Sequence, residues 1–218
     1  MHSTFGLQIR PNPNMHLPSQ YSSERELVDA LRKSTTRERA FRDAIHIWQR
    51  PLYGHLRRML GNHEDASDVL QDTWVKWVKN IHEFRGDSAL YTWLMSIANR
   101  TALDALRKRQ RERLRWGDVA LSKEETGPSA MGETLEPADE QAWNEWHGHD
   151  AWNEASALRR LMVAVESLPD RQRAVFVLRY FEAMPYKQLA QTMGVTESTV
   201  KALCHHAKAK LRDALTST

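Results

Sequence analysis

The chain has 218 residues, 41% of them hydrophobic, with 31 Lys and Arg against 28 Asp and Glu and a single cysteine, Cys204. That length supports one or two modest cores, and the lone cysteine excludes an internal disulfide framework and any cysteine-rich zinc site. No run of 18 apolar residues occurs, and the polar start MHSTFGLQIRPNPNMHLPSQ lacks the apolar stretch of a secretory signal, so membrane insertion and export are not expected and a cytoplasmic location is. The net charge of +3 conceals a segregation: residues 117–157 carry −9 and all the rest +12. Basic folded parts joined by an acidic connector point to phosphate as a ligand of the folded parts.

In chain order, residues 1–22 hold Pro11, Pro13, Pro18, Asn12, Asn14 and Ser19 without periodicity and read as a flexible tail, in which Met15 is an alternative start. Residues 23–116 read as helices throughout, broken at 34–36, 61–62 and 84–88, and form a first domain. Residues 117–153, with Gly117, Gly127, Pro128, Gly132, Pro137 and Gly148, form an acidic linker. Its Trp143, Trp146 and Trp152 fit either a short helix against its own domain or a partner-docking segment. Residues 154–218 form a second, four-helix domain: Leu158, Leu161, Met162, Val165 and Leu168 make a stripe ended by Pro169, and Asp170 is expected to cap the next helix. The fold class is all-α, two small helical domains with a C-terminal helix-turn-helix.

The chemistry lies in four segments. Asp65, Asp68 and Asp72 share one helical face, which is a solvated surface or a docking surface for a basic partner. Metal binding by His63, Glu64, Asp65 and Asp68 lacks a second cluster to complete a coordination shell, so no metal or cofactor is expected. Residues 81–94, IHEFRGDSALYTWL, place a glycine loop between helices with aromatics on either side, a composition that suits either a core or a pocket for an unstacked base. The following helix bears seven Lys or Arg between 99 and 115 against Asp104 and Glu112, a density favouring nucleic acid over a merely solvated face.

The last segment, MPYKQLAQTMGVTESTVKALCHHAKAKL at 184–211, reads as a helix started at Pro185, a stop at Gly194 and a second helix capped by Thr196. Leu189, Ala190 and Met193, then Val200, Leu203, Cys204, Ala207 and Leu211, supply the inward stripe, which makes Cys204 a packing residue. Glu197, Ser198, Thr199, Lys201, His205, Lys208 and Lys210 face outward, as the reading helix of a helix-turn-helix would present them to a major groove. An ordinary helical hairpin with a charged face is the alternative for this segment alone.

The order of these motifs, DAxDxxQDxW, FRGDSxxxTWLxxIANxxxxDxxR and LPxxQRxVFxLRYFExxxYxxLAxxMGVTESTVK, resembles the extracytoplasmic-function (group IV) sigma factors of bacterial RNA polymerase. The resemblance covers residues 24–115 and 154–214, with no large intermediate domain between them. It implies that Asp65, Asp68, Gln71, Asp72 and Trp74 bind the clamp helices of core RNA polymerase. It implies that Phe84, Arg85, Asp87, Ser88, Tyr91 and Trp93 belong to the loop that captures a flipped base of the minus-ten element, beside a helix carrying Asn99, Arg100, Asp104, Arg107 and Arg109. The minus-thirty-five element would be read by Glu197, Ser198, Thr199, Lys201 and His205. By the same resemblance the acidic linker runs through the polymerase cleft, the protein is a monomer within the holoenzyme, promoter DNA is its ligand, an anti-sigma factor is a partner, and it is no enzyme.

The sequence departs from the family where Ser-Arg-Leu-His-Arg commonly follows the Val-Lys pair: here stand Ala202, Leu203, Cys204, His205 and His206. Two arginines fewer weaken phosphate and guanine contacts, and histidines there predict a pH-dependent DNA affinity, to be compared at pH 6 and 8. The rival reading is a stand-alone helix-turn-helix regulator; a nucleic-acid enzyme built on the His63 cluster is a distant third.

Overall fold

The computed structural model describes residues 17–120 and 152–216, and among them the regular structure is entirely helical. The first domain comprises α1 (Glu24–Arg32), α2 (Arg37–Leu60), α3 (His63–Asn80), a 3-10 turn (Ile81–Glu83) and α4 (Leu90–Ala120). The second comprises α5 (Trp152–Glu166), α6 (Asp170–Tyr180), α7 (Tyr186–Met193) and α8 (Glu197–Thr216).

Local chemistry sets most of these boundaries. Ser23 and Asn62 accept hydrogen bonds from the backbone N–H groups of Glu26 and Asp65, satisfying orphan donors at the starts of α1 and α3. Gly61, at φ +83°, terminates α2 with its N–H on the Arg57 carbonyl. The start of α4 is capped from a distance: the Glu24 carboxylate accepts from the Leu90 N–H at 2.6 Å, tying α1 to α4. Trp77 centres the first core, meeting Phe41, Trp48 and Trp74 edge-on at ring separations of 5.0, 5.9 and 5.6 Å. Such aromatic pairs add about 1 kcal/mol each beyond the area they bury.

In the second domain Val165, Leu168, Val175, Val177, Leu178, Leu189, Val200, Ala207 and Leu211 form the core, and Cys204 lies among them as expected. Three boundaries differ from the sequence reading. Asp170 is the first residue of α6, not its cap; the cap position is Pro169, whose ring has no hydrogen-bonding group to offer, and Asp170 contributes its negative charge to the first turn. Helix α4 continues to Ala120, past Gly117, and α5 begins at Trp152 rather than at 154. Trp143 and Trp146 lie outside the described residues.

The two domains pack directly on each other. Helices α2 and α4 meet α6, α2 also meets α5, and α4 meets α7. Arg173 reaches from α6 to donate to the Met59 carbonyl at 2.7 Å, so part of the first domain's surface is interior.

Candidate nucleic-acid interface

Helix α4 is buried along Leu94, Met95, Ala98 and Ala102 and exposed along Arg100, Asp104, Arg107, Lys108, Arg109, Arg111, Arg113 and Arg115. One face therefore serves the core while the other concentrates cations. Its ion pairs are shallow: Arg107 with Asp104 at 3.1 Å and Arg109 with Asp65 at 3.2 Å both lie roughly half exposed. Pairs of this kind contribute ~0–1 kcal/mol, little enough for a phosphate to replace the carboxylate.

The loop before α4 divides into inner and outer residues. Phe84 is buried, its ring 5.3 Å from Trp93 and its carbonyl held by Arg32 at 2.5 Å. Arg85 and Asp87 are exposed, and Ser88 and Trp93 partly so. Between them Gly86 stands at φ +82° with open space where a Cβ would be, so backbone conformation and not crowding demands glycine.

Tyr91 and Asn99 lie elsewhere than the DNA-facing reading places them. Tyr91 is 4% exposed, packed on Trp48 at 5.7 Å, and Asn99 is 1% exposed, its amide donating to the Met193 sulfur of α7 at 3.2 Å. Burial pushes the Tyr91 hydroxyl's pKa well above its ordinary value, and the nearby Glu182 adds to it.

On α3, Asp68, Gln71 and Asp72 are exposed and Asp65 and Trp74 partly exposed, one continuous acidic edge ending in an aromatic. Asp65 is held from two sides: its carboxylate accepts from the Asn62 amide at 2.7 Å as well as from Arg109. Beside this edge runs a groove between α2 and α3 lined by His46, Arg50, Tyr53, His63, Gln71 and Trp74, with the Tyr53 hydroxyl 2.7 Å from His63 Nδ1. The α2 contribution was not read from the sequence, because only the α2–α3 packing brings those residues beside Gln71 and Trp74. Among the described residues no group of three or more His, Cys, Asp or Glu is placed to hold a metal, and the His63, Glu64, Asp65 and Asp68 set is no exception.

In the helix-turn-helix, Gly194 takes φ +63° and closes α7 on Ala190 and Gln191, and the Thr196 hydroxyl accepts from the Thr199 N–H at 3.3 Å to open α8. Glu197, Ser198, Thr199, Lys201 and His205 are all exposed on α8, while Val200, Cys204, Ala207 and Leu211 are buried. Burial pushes the Cys204 thiol's pKa up, which keeps it protonated and unreactive. Lys201 and Lys208 lie 5.8 and 5.0 Å over the rings of Tyr186 and Tyr180, contacts that pre-position both ammonium groups.

A basic helix in one domain, a helix-turn-helix in the other and an exposed acidic edge define a two-domain helical DNA-binding protein. Among the described residues no helix is long and apolar enough to cross a membrane. Residues 44–112 match the family model of sigma-70 region 2, and residues 158–211 that of sigma-70 region 4. The chain is 26% identical to the ECF RNA polymerase sigma factor SigW of Bacillus subtilis over 81% of its length and 89% of the relative's. It is 28% identical to the RNA polymerase sigma-H factor of Pseudomonas aeruginosa over 88% and 93%.

Two solved structures share the fold, each with a TM-score of 0.58. One is the sigma factor RpoE of Bartonella quintana in complex with the anti-sigma factor NepR, at 22% identity and covering 81% of this chain and 96% of that one. The other is CnrH in complex with the cytosolic domain of CnrY, at 21% identity with 89% and 97% covered. The chain belongs to the sigma-70 family, in its extracytoplasmic-function group, and is an alternative sigma factor that directs promoter recognition by RNA polymerase. A stand-alone helix-turn-helix regulator would account for the second match and leave the first unexplained.

Proposed function

We propose a division of labour among the exposed surfaces. The edge formed by Asp65, Asp68, Gln71, Asp72 and Trp74 docks the clamp helices of core polymerase. Arg85, Asp87, Ser88 and Trp93, with Arg100, Asp104, Arg107 and Arg109, engage melted minus-ten DNA. Glu197, Ser198, Thr199, Lys201 and His205 read the minus-thirty-five element. The first unit spans residues 23–116 and the second 154–218, joined by the acidic linker 117–153, into which the last residues of α4 and the first of α5 extend. The observation that carries this reading is that these side chains are exposed, or in the case of Asp65, Trp74, Ser88 and Trp93 partly exposed, on three separate surfaces: one edge on α3, one on α4 with its preceding loop, one on α8.

The work done is binding work. A base held out of the stack exchanges stacking for pocket contacts worth a few kcal/mol, enough to bias promoter opening without a chemical step. The protein has no catalytic activity of its own and acts in the cytoplasm, where polymerase is. Because one structural neighbour is bound to the anti-sigma factor NepR, an anti-sigma protein is the expected regulator of this chain as well.

The polymerase edge is tested by the double replacement Asp68→Arg, Asp72→Arg. Both side chains are exposed, so thermal stability should change by only ~0.5 kcal/mol, while co-elution with core RNA polymerase should be lost. Retained co-elution by the double variant would reject this edge as the docking surface.

A further inference from the structure

The outward face of α8 has a methyl group at its centre. At about 100° per residue, Ala202 lies about 170° round the helix from the middle of the stripe formed by Val200, Cys204, Ala207 and Leu211. Those four are buried and Ala202 is exposed. Ser198 lies one turn before it, and His205 and His206 one turn after it on either side, with their rings 5.8 Å apart. In a helix-turn-helix the outward face of the second helix, near its N-terminus, meets the base edges. Ala202 therefore occupies the position that enters a major groove deepest.

The polar groups nearest Ala202 are engaged elsewhere. The Ser198 and Thr199 hydroxyls each lie 2.9 Å from the Thr196 hydroxyl, which also accepts from the Thr199 N–H at 3.3 Å, so both belong to the cap of the helix. Lys201 and Lys208 stand about 70–90° from the buried stripe, at the side of the helix, over the rings of Tyr186 and Tyr180. From there an ammonium group meets the phosphates of a groove wall before the bases of its floor. No arginine occurs from Glu197 to Leu211, so the fork that pairs with both major-groove acceptors of guanine is missing from the reading stretch. His205 and His206 remain as polar readers at the flanks.

What a methyl group can recognise is narrow. Guanine, cytosine and adenine offer hydrogen-bonding groups and no methyl in the major groove; placed against Ala202, such a group would lose water and gain no partner. Thymine alone adds a methyl, at C5. We infer that Ala202 is a specificity-determining residue of α8, packing on the C5-methyl of a thymine and so selecting an A·T pair at one position of the upstream element. The inference rests on the reading of the minus-thirty-five element by α8 and names the base chemistry that this helix selects.

The test uses holoenzyme assembled from the full chain and bacterial core RNA polymerase. Duplexes randomised over both promoter elements are selected by binding and sequenced, which gives the preferred upstream element. Each thymine of that element, on either strand, is then replaced singly by deoxyuridine, which lacks only the C5-methyl. At one position the replacement should weaken binding about fourfold, the effect of leaving one methyl-sized group without its buried contact. At the same position 5-methylcytosine should bind better than cytosine by a similar factor. Ala202→Ser and Ala202→Gly should each erase both differences; far-UV helical content and co-elution with core polymerase establish that the variants are folded. Equal binding of thymine and deoxyuridine at every position would overturn the inference, as would a selected element without an A·T pair. A methyl preference that survives in both folded variants would assign the contact to another side chain and overturn it too. Failure of the sigma reading would appear separately, as a chain that forms no complex with core polymerase; the same comparison on duplexes selected by the chain alone then decides the role of Ala202.

Discussion

Burial holds the His55 imidazole down to a pKa of about 3, with the adjacent Arg58 charge adding to the effect, and neither ring nitrogen has a hydrogen-bond partner. The ring is therefore neutral in the folded state and must take up a proton on unfolding in acid. Its contribution is fully present above the unfolded pKa of about 6.5 and is lost as pH falls toward 3. At pH 5 the loss should be about 2 kcal/mol, read as a lower melting temperature than at pH 7. His55→Leu should flatten that dependence, and an unaltered slope would place the titrating group elsewhere. Other single residues were legible from sequence chemistry alone: Gly194 at a left-handed stop, Thr196 as a cap and Cys204 in the core all stand as read. Tyr91 and Asn99 were not, because Tyr91 packs on Trp48 of another helix and Asn99 meets Met193 far along the chain, and no local pattern announces either pairing.

At the scale of elements, helix ends carry most of the checkable energy. Gly61→Ala would force a Cβ onto a φ of +83°, with the nearest atom, the Glu166 carboxyl carbon, at an ordinary contact distance of 3.5 Å, so backbone conformation alone should destabilise the fold by ~1–2 kcal/mol, measured by urea or thermal unfolding. Glu24→Ala removes the carboxylate that caps α4 from α1. A cap of this kind contributes ~1 kcal/mol, and the Leu90 amide should exchange its hydrogen faster in the variant; equal exchange would show that the bond is not a cap in solution. The breaks at 34–36, 61–62 and 84–88 all fall between observed helices, because each is punctuated by glycine or by small hydroxyl residues that the chain cannot hide in a helix. The misread start of α6 has a plain reason: in Leu-Pro-Asp the aspartate suits either the cap or the first turn, and Pro169 took the cap position.

For the whole molecule, the two helical units and the helix-turn-helix followed from periodicity and motif order, whereas their mutual packing did not. Helices α2 and α4 close on α5, α6 and α7 through contacts separated by scores of residues, such as Arg58 with Glu182 and Arg173 with Met59. Taken singly, Arg58, Arg173 and Glu182 read as ordinary charged positions, and the Met59 carbonyl as an ordinary helix-end acceptor. The arrangement leaves exposed the α3 edge proposed to dock polymerase, while Asn99 of α4 lies against Met193 of the second domain. It follows that polymerase should bind the free chain readily while duplex DNA binds it weakly. The measurement that tests the central claim most directly is gel filtration of the purified full chain with bacterial core RNA polymerase. Co-elution as a stable complex is the predicted result; separate elution of a folded sample, with tight promoter binding by the chain alone, would contradict it and make this a stand-alone regulator.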